Sequence, residues 1–221
     1  MAGLPISTPV ALRILPLGNS ITFGYLSTDG NGYRQDLLNM LAGTPIQYIG
    51  SVRSGEMADN YNEGHPGAII TQITNYSLMS LPQRPNLILL MAGTNDMNNP
   101  TYPATAPQRL GSLIDLCHSI CPDATILVAQ LTPAANADVE ARIQTFNRAV
   151  PGIVDARAKN GTKVLTVDMS RYVSAANLTD GLHPNDYGYN QMAVAWYGGI
   201  QDAAKKRWIT PPVLMAGEIS G

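Results

Sequence analysis

Four short stretches of the chain are apolar almost without interruption: "LRILPL" (12–17), "NLILLMAG" (86–93), "TILVAQL" (125–131) and "KVLTVDM" (163–169). A strand with one wet face alternates apolar and polar residues. These stretches do not alternate, so they predict parallel strands covered on both faces. "IQYIGSV" (46–52) is a weaker fifth strand. Between them the period changes to that of a helix. "YRQDLLNMLA" puts Tyr33, Leu37, Leu38 and Leu41 on one side, and "QRLGSLIDLC" does the same with Leu110, Leu113, Ile114 and Cys117. From Val139 to Lys159 the pattern is helical, with a kink or break expected at "VPG" (150–152). A last helix is expected to start near Pro184 and to turn Tyr187, Met192, Trp196 and Ile200 inward.

Strands alternating with helices predict an α/β protein: a three-layer α/β/α sandwich with right-handed crossovers and a five-stranded parallel sheet in the order 2-1-3-4-5. The topological switch point of that order lies between the first and third strands, at their C-terminal ends. "GNS" (18–20) and "AGTNDMNN" (92–99) would meet there. The chain reads as one domain over 1–209, followed by an irregular tail over 210–221.

Composition narrows the partner. A net charge of −2, with 14% charged residues, leaves no electrostatic footprint for nucleic acid or an anionic membrane, so neither is an expected partner. No apolar run approaches the roughly 20 residues of a membrane span. "MAGLPISTPVAL" lacks the basic start and apolar run of a signal peptide, as in a mature secreted chain with an added Met1. Cys117 and Cys121 would lie on the last turn of a helix, with Cα atoms near the upper limit for a disulfide. The alternatives are a bridge or two small buried side chains. His118 lies between them, but no second cluster completes a metal site.

A serine nucleophile needs a base, and there are three histidines. His118 sits mid-pattern on a helix, away from any strand end. His65, in "NEGHPGA", lies on a loop with only Glu63 at hand to orient it. His183, in "TDGLHP", follows Asp180 by three residues on one tight turn. That spacing lets the carboxylate accept from one ring nitrogen while the other points outward. A tetrahedral oxyanion also needs donors. Candidates are the Ser20 N–H, the N–H of Gly67 in "GHPGAII" and the Asn95 amide in "GTND", with Asp96 ordering that loop through backbone amides. The chain reads Gly18-Asn19-Ser20-Ile21-Thr22, not the G-x-S-x-G elbow of α/β-hydrolases. Neither a P-loop nor a G-x-G-x-x-G fingerprint follows the first strand.

"PLGNSITFG", "GHPGAI", "GTND" and "DGLHP", in this order and with these separations, resemble the four blocks of the SGNH (GDSL-type) hydrolase superfamily. The resemblance spans nearly the whole chain and implies a flavodoxin-like hydrolase fold. It also implies Ser20 as nucleophile and oxyanion donor, Gly67 and Asn95 as the other donors, His183 as base and Asp180 as its partner. Within the superfamily, "GYRQDLLNML", "YIGSVRSG", "NEGHPGAII" and "DGLHPNDYGYNQMAVAWY" are similar to family 3 carbohydrate esterases, which are secreted acetylxylan esterases. One departure is Asn19, where the family has Asp. Asparagine keeps the ability to bond local backbone, but the charge beside Ser20 is lost.

The expected activity is hydrolysis of O-acetyl esters on a polysaccharide such as acetylated xylan, by a secreted monomer needing no metal or organic cofactor. Asn19, His65 and Tyr102 are the expected substrate contacts. Ten tyrosines against two phenylalanines supply rings that stack on sugars and still hydrogen-bond, and Tyr25, Tyr61, Tyr102, Tyr187 and Tyr189 lie near the motifs. The alternatives are a small lipase or thioesterase of longer acyl chains, an acyltransferase, and an inactive carbohydrate-binding protein.

Overall fold

The computed structural model describes residues 10–99 and 102–214. Its centre is β1 (Leu12–Asn19), every residue of which is buried. On one side β1 pairs in parallel with β5 (Leu87–Met91), which leads on to β6 (Thr125–Gln130) and β7 (Val164–Asp168). On the other side it has two parallel neighbours in succession, β2 (Ile46–Tyr48) along residues 12–14 and β4 (Tyr61–His65) along 17–19. A short β3 (Val52–Arg53) lies antiparallel on β4. The expected order of the five strands holds, but the sheet has seven strands among the described residues, because the expected second strand is replaced by β2 and the β3–β4 hairpin.

That replacement suits Pro16. Ile14 faces β2 with its carbonyl, which accepts from Ile49 N at 2.9 Å, so Pro16, two residues on, faces the same side. Its missing N–H falls between the end of β2 and the start of β4, where no ladder bond is lost.

Helices cover both faces. α2 (Tyr33–Met40) packs on α7 (Asp186–Lys205), while α3 (Ile70–Ser80) packs on α5 (Ala106–Ile120) and α5 on α6 (Ala137–Lys159). Two short helices, α1 (Ser20–Phe23) and α4 (Thr94–Asn98), start just beyond the ends of β1 and β5.

Two expectations need correction, the break at Pro151 and the inward Tyr187, and one open alternative is settled. α6 runs unbroken through Pro151. The carbonyl that Pro151 leaves without its helical donor, Asn147 O, accepts from Gln130 Nε2 at 2.7 Å. α7 starts at Asp186, near Pro184 as expected, with the Asn185 side chain accepting from Gly188 N. Met192, Trp196 and Ile200 are buried as expected, but Tyr187 is 60% exposed and Tyr189 takes the inward place. Nine residues separate Tyr187 from Trp196, two and a half helical turns, which puts them on opposite faces. Of the two alternatives for Cys117 and Cys121, the second holds: both are free and buried. Burial pushes both thiols up, Cys121 to about 11, which leaves them unreactive.

The tail bonds the body where it is described: Thr210 O accepts from Asn86 Nδ2, and Val213 O from Arg13 Nη1. Residues 215–221 of the expected tail lie outside the described residues.

A charged residue holds the loops beside the sheet's C-terminal edge. Arg34, on α2, is fully buried and donates to the carbonyls of Phe23, Gly30, Ser54 and Asn60 and to Ser54 Oγ, at 2.8–3.2 Å. Burial lowers its pKa from the ordinary value. Arg34→Lys keeps the charge but loses the fork that serves these acceptors. It is expected to cost about 3 kcal/mol in urea unfolding, since each buried acceptor left unpaired costs about 1–3 kcal/mol.

Candidate active site

The site forms where β1, β4 and β5 end. At Gly18 an added Cβ would lie well inside contact distance of Thr22 Oγ1 and Met91 O, so β1 and β5 approach only because this residue has no side chain. The chain then turns directly into α1. Asn19 caps that helix, its Oδ1 accepting from Ile21 N at 3.0 Å, and Ser20 is the first helical residue. Asparagine thus closes this turn through its carbonyl oxygen. Asn19 is 0% exposed, which removes it from the expected substrate contacts and makes it a turn residue.

Ser20 Oγ lies 2.9 Å from His183 Nε2, and His183 Nδ1 lies 2.8 Å from Asp180 Oδ2. The turn carrying the histidine is built locally. Asp180 Oδ1 accepts from the N–H groups of Leu182 and His183 at 3.0 and 2.8 Å. Gly181 takes the left-handed conformation (φ 85°), and its carbonyl accepts from Ala135 N. Partial burial tends to raise the Asp180 pKa, but hydrogen bonds from the His183 N–H and ring and from Leu182 N outweigh it and bring the carboxyl down to about 2.

Thr28, Tyr25 and Tyr189 steady this turn. Thr28 donates through N and Oγ1 to the Asp186 carboxylate at 2.8 and 2.6 Å, tying the loop after α1 to the start of α7 and lowering the Asp186 pKa. Tyr25 sets its ring edgewise against His183, centroids 4.9 Å apart. Tyr189, counted above among possible sugar contacts, is 1% exposed and donates its hydroxyl to Tyr25 O, so it holds Tyr25 from behind. No sequence signal marks Thr28, because its partner lies 158 residues away.

The three expected oxyanion donors stand on neighbouring elements. Ser20 N opens a helix, where N–H groups have no intrahelical acceptor. Gly67 (φ 81°) is exposed in the loop between β4 and α3, and its N–H meets no acceptor among the described residues. Asn95, on α4, gives one amide hydrogen to Ala68 O at 2.9 Å and keeps the other. Asp96 is fully buried. It accepts from Ile70 N at 3.0 Å and pairs with Arg109, so α4 is tied to the start of α3. Burial raises the Asp96 pKa, with the Ile70 N–H and Arg109 opposing. This is the loop-ordering role expected of Asp96.

His65 pairs in register with Asn19, one residue from the serine. Its Nε2 lies 2.5 Å from Glu63 Oε1, and its ring stacks on Tyr76. Tyr102 is further out: 37% exposed, with its carbonyl taken by Arg109 Nη2. Tyr61, beside Arg53, and Tyr187 are exposed. His118 stays on α5, away from the cluster. No described helix is long and apolar enough to cross a membrane.

Residues 17–191 match the model of the GDSL-like Lipase/Acylhydrolase family. A solved family 3 carbohydrate esterase from Clostridium thermocellum is 30% identical, with a TM-score of 0.77 over 89% of this chain and 98% of that one. A family 3 carbohydrate esterase from Talaromyces cellulolyticus shares the fold at 22% identity, with a TM-score of 0.74 over 88% of this chain and 99% of that one. A multidomain esterase from Ruminococcus flavefaciens is 25% identical over 88% of this chain, which spans only 29% of that protein's length. With the family model matched across most of its length, and a carbohydrate esterase matched from end to end, this chain belongs to the GDSL-like lipase/acylhydrolase family of ester hydrolases and resembles its family 3 carbohydrate esterases.

Proposed function

We propose that the protein is a secreted, monomeric serine esterase that removes O-acetyl groups from a plant cell-wall polysaccharide such as acetylated xylan, through an acetyl-enzyme on Ser20. The observation that carries this reading is the pair of hydrogen bonds linking Asp180, His183 and Ser20 at 2.8 and 2.9 Å. The likeness to a family 3 carbohydrate esterase supports a sugar ester as substrate.

Ser20 Oγ attacks the acetyl carbonyl while its proton passes to His183 Nε2, and Asp180 stabilises the imidazolium. The oxyanion takes the N–H groups of Ser20 and Gly67 and the spare amide hydrogen of Asn95. When the intermediate collapses, the ester C–O bond breaks and His183 returns the proton to the departing sugar oxygen. A water, deprotonated by His183, then attacks the acetyl-enzyme, releasing acetate and restoring Ser20.

One observation favours a second reading. An apolar groove of about 530 Å³, lined by Met97, Pro103, Ala104, Pro107, Phe146 and Ala149, would suit a longer acyl chain, and Met97 shares α4 with Asn95. Rates on p-nitrophenyl esters from acetyl to octanoyl separate the two. A steep fall beyond acetyl, with all turnover lost in Ser20→Ala, is expected, and a preference for octanoyl would hand the site to the lipase reading.

Asn95→Ala is expected to lower kcat by about 10²–10³, the usual effect of losing one oxyanion donor. Asp180→Asn keeps an oxygen for the Leu182 and His183 N–H groups but presents a donor to His183 Nδ1, reversing the tautomer. A loss of about 10⁴ in kcat is expected, far more than the modest fall in melting temperature that losing the carboxylate brings. The folded carboxyl titrates near 2, below an unfolded value of about 3.9. Its contribution to stability is therefore complete above that unfolded value and lost as pH falls toward 2. An acid limb of kcat/KM above about pH 4 accordingly belongs to a group other than Asp180.

A further inference from the structure

Glu63 is a buried acid with an unusually full set of donors. It is 0% exposed, yet Ser51 N and Ser51 Oγ donate to it at 2.8 Å each, Ser80 Oγ donates to it, and His65 Nε2 lies 2.5 Å away. A carboxylate so enclosed can only accept, so the hydrogen between it and His65 sits on Nε2. With that hydrogen on Nε2, the other ring nitrogen, Nδ1, meets no donor among the described residues and is not sealed from solvent. The ring is held flat against Tyr76, centroids 3.7 Å apart and planes 11° from parallel. A histidine fixed in tautomer and orientation, with its acceptor left over, is a recognition element for a donor.

The space it faces is a pocket of about 260 Å³ lined by His65, Pro66, Gly67, Ala68, Gln72 and Tyr76. Gln72 Oε1 is taken by Ile69 N, which caps α3 and leaves the Gln72 amide hydrogens free. Gly67, whose N–H is an oxyanion donor in the mechanism above, lines the same pocket. One fixed acceptor and one free amide donor, beside the point where the ester carbonyl is held, match adjacent hydroxyls of a pyranose and not an alkyl chain. We infer that this pocket binds the sugar that carries the acetyl group, or its immediate neighbour, with His65 Nδ1 accepting from a ring hydroxyl and Gln72 donating to the next. The inference rests on the saccharide reading proposed above and gives His65 a defined role in substrate choice.

Two substitutions divide the histidine's functions. In His65→Gln the side-chain amide nitrogen can take the place of Nε2 on Glu63 while the acceptor at Nδ1 is lost. In His65→Asn an oxygen can take the place of Nδ1 while the bond to Glu63 is lost. Both are placed in the Ser20→Ala background, so that partially acetylated xylotetraose can be titrated by calorimetry without being consumed. His65→Gln is expected to weaken binding about tenfold, the upper range for one neutral hydrogen bond, with the melting temperature unchanged. His65→Asn is expected to bind better than His65→Gln but to melt lower. Parental affinity in His65→Gln, or affinity that follows melting temperature in both variants, overturns the inference. If the Ser20→Ala parent binds no saccharide while the wild type still hydrolyses p-nitrophenyl acetate, the polysaccharide reading itself fails and takes this subsite with it.

Discussion

The close approach of β1 and β5 at Gly18 governs the geometry of the rest. A side chain at Gly18 would collide with Thr22 Oγ1 and the Met91 carbonyl, so only glycine lets β1 and β5 lie this close where the chain leaves the sheet. Ser20 follows as the first residue of α1. The neighbouring strand ends in the same manner. Gly93, with φ 127° and the Phe146 ring behind it, leads from β5 into α4 and Asn95. Two adjacent strands thus end beside a glycine at the switch point of the sheet, one leading into Ser20 and the other into Asn95. Four-residue and five-residue helices are too short to be stable alone, so their direction comes from the sheet below them.

The loops around this point are held by buried polar groups in place of apolar packing. Arg34 gathers the carbonyls of the 23–30 and 54–60 segments, Asp96 joins α4 to the start of α3, and Glu63 joins His65 to Ser51 and Ser80. Each charge is costly to bury and tolerable only because its partners are nearly all supplied. The arrangement gives fixed direction to segments that have too few apolar side chains to pack by themselves.

The same division explains what the sequence made legible. β1, β5 and β6 are buried on both faces by apolar side chains, β7 only at Val164 and Val167, and that burial is written as nearly unbroken apolar runs. β4, "YNEGH", is just as buried at Asn62, Glu63 and Gly64, but through hydrogen bonds, so its residues read as a loop. Arg34 reads as the wet side of a helix for the same reason. The break expected at Pro151 fails because its remedy, Gln130, lies on another element. Ser20, Asn95, Asp180 and His183 were legible because their motifs carry their own turns within a few residues. Thr28, Tyr76 and Gln72 were not, because what matters about them is a neighbour far along the chain or a space between elements.

The hydrogen bond between Ser20 and His183 joins residues 163 apart. A bond worth about 1 kcal/mol cannot by itself hold two such distant segments in register. Nor does it need to. The histidine's turn is closed by Asp180 on its own N–H groups, by Thr179 N on His183 O, by Gly181 O on Ala135, and by Thr28 on Asp186. The serine is set by Gly18, by the Asn19 cap and by the sheet. Each partner is therefore placed by its own surroundings, and the contact between them is a result of the fold. In the proposed mechanism such independence suits Ser20 as nucleophile, since there the bond to His183 breaks and re-forms in every turnover without disturbing either side chain's support.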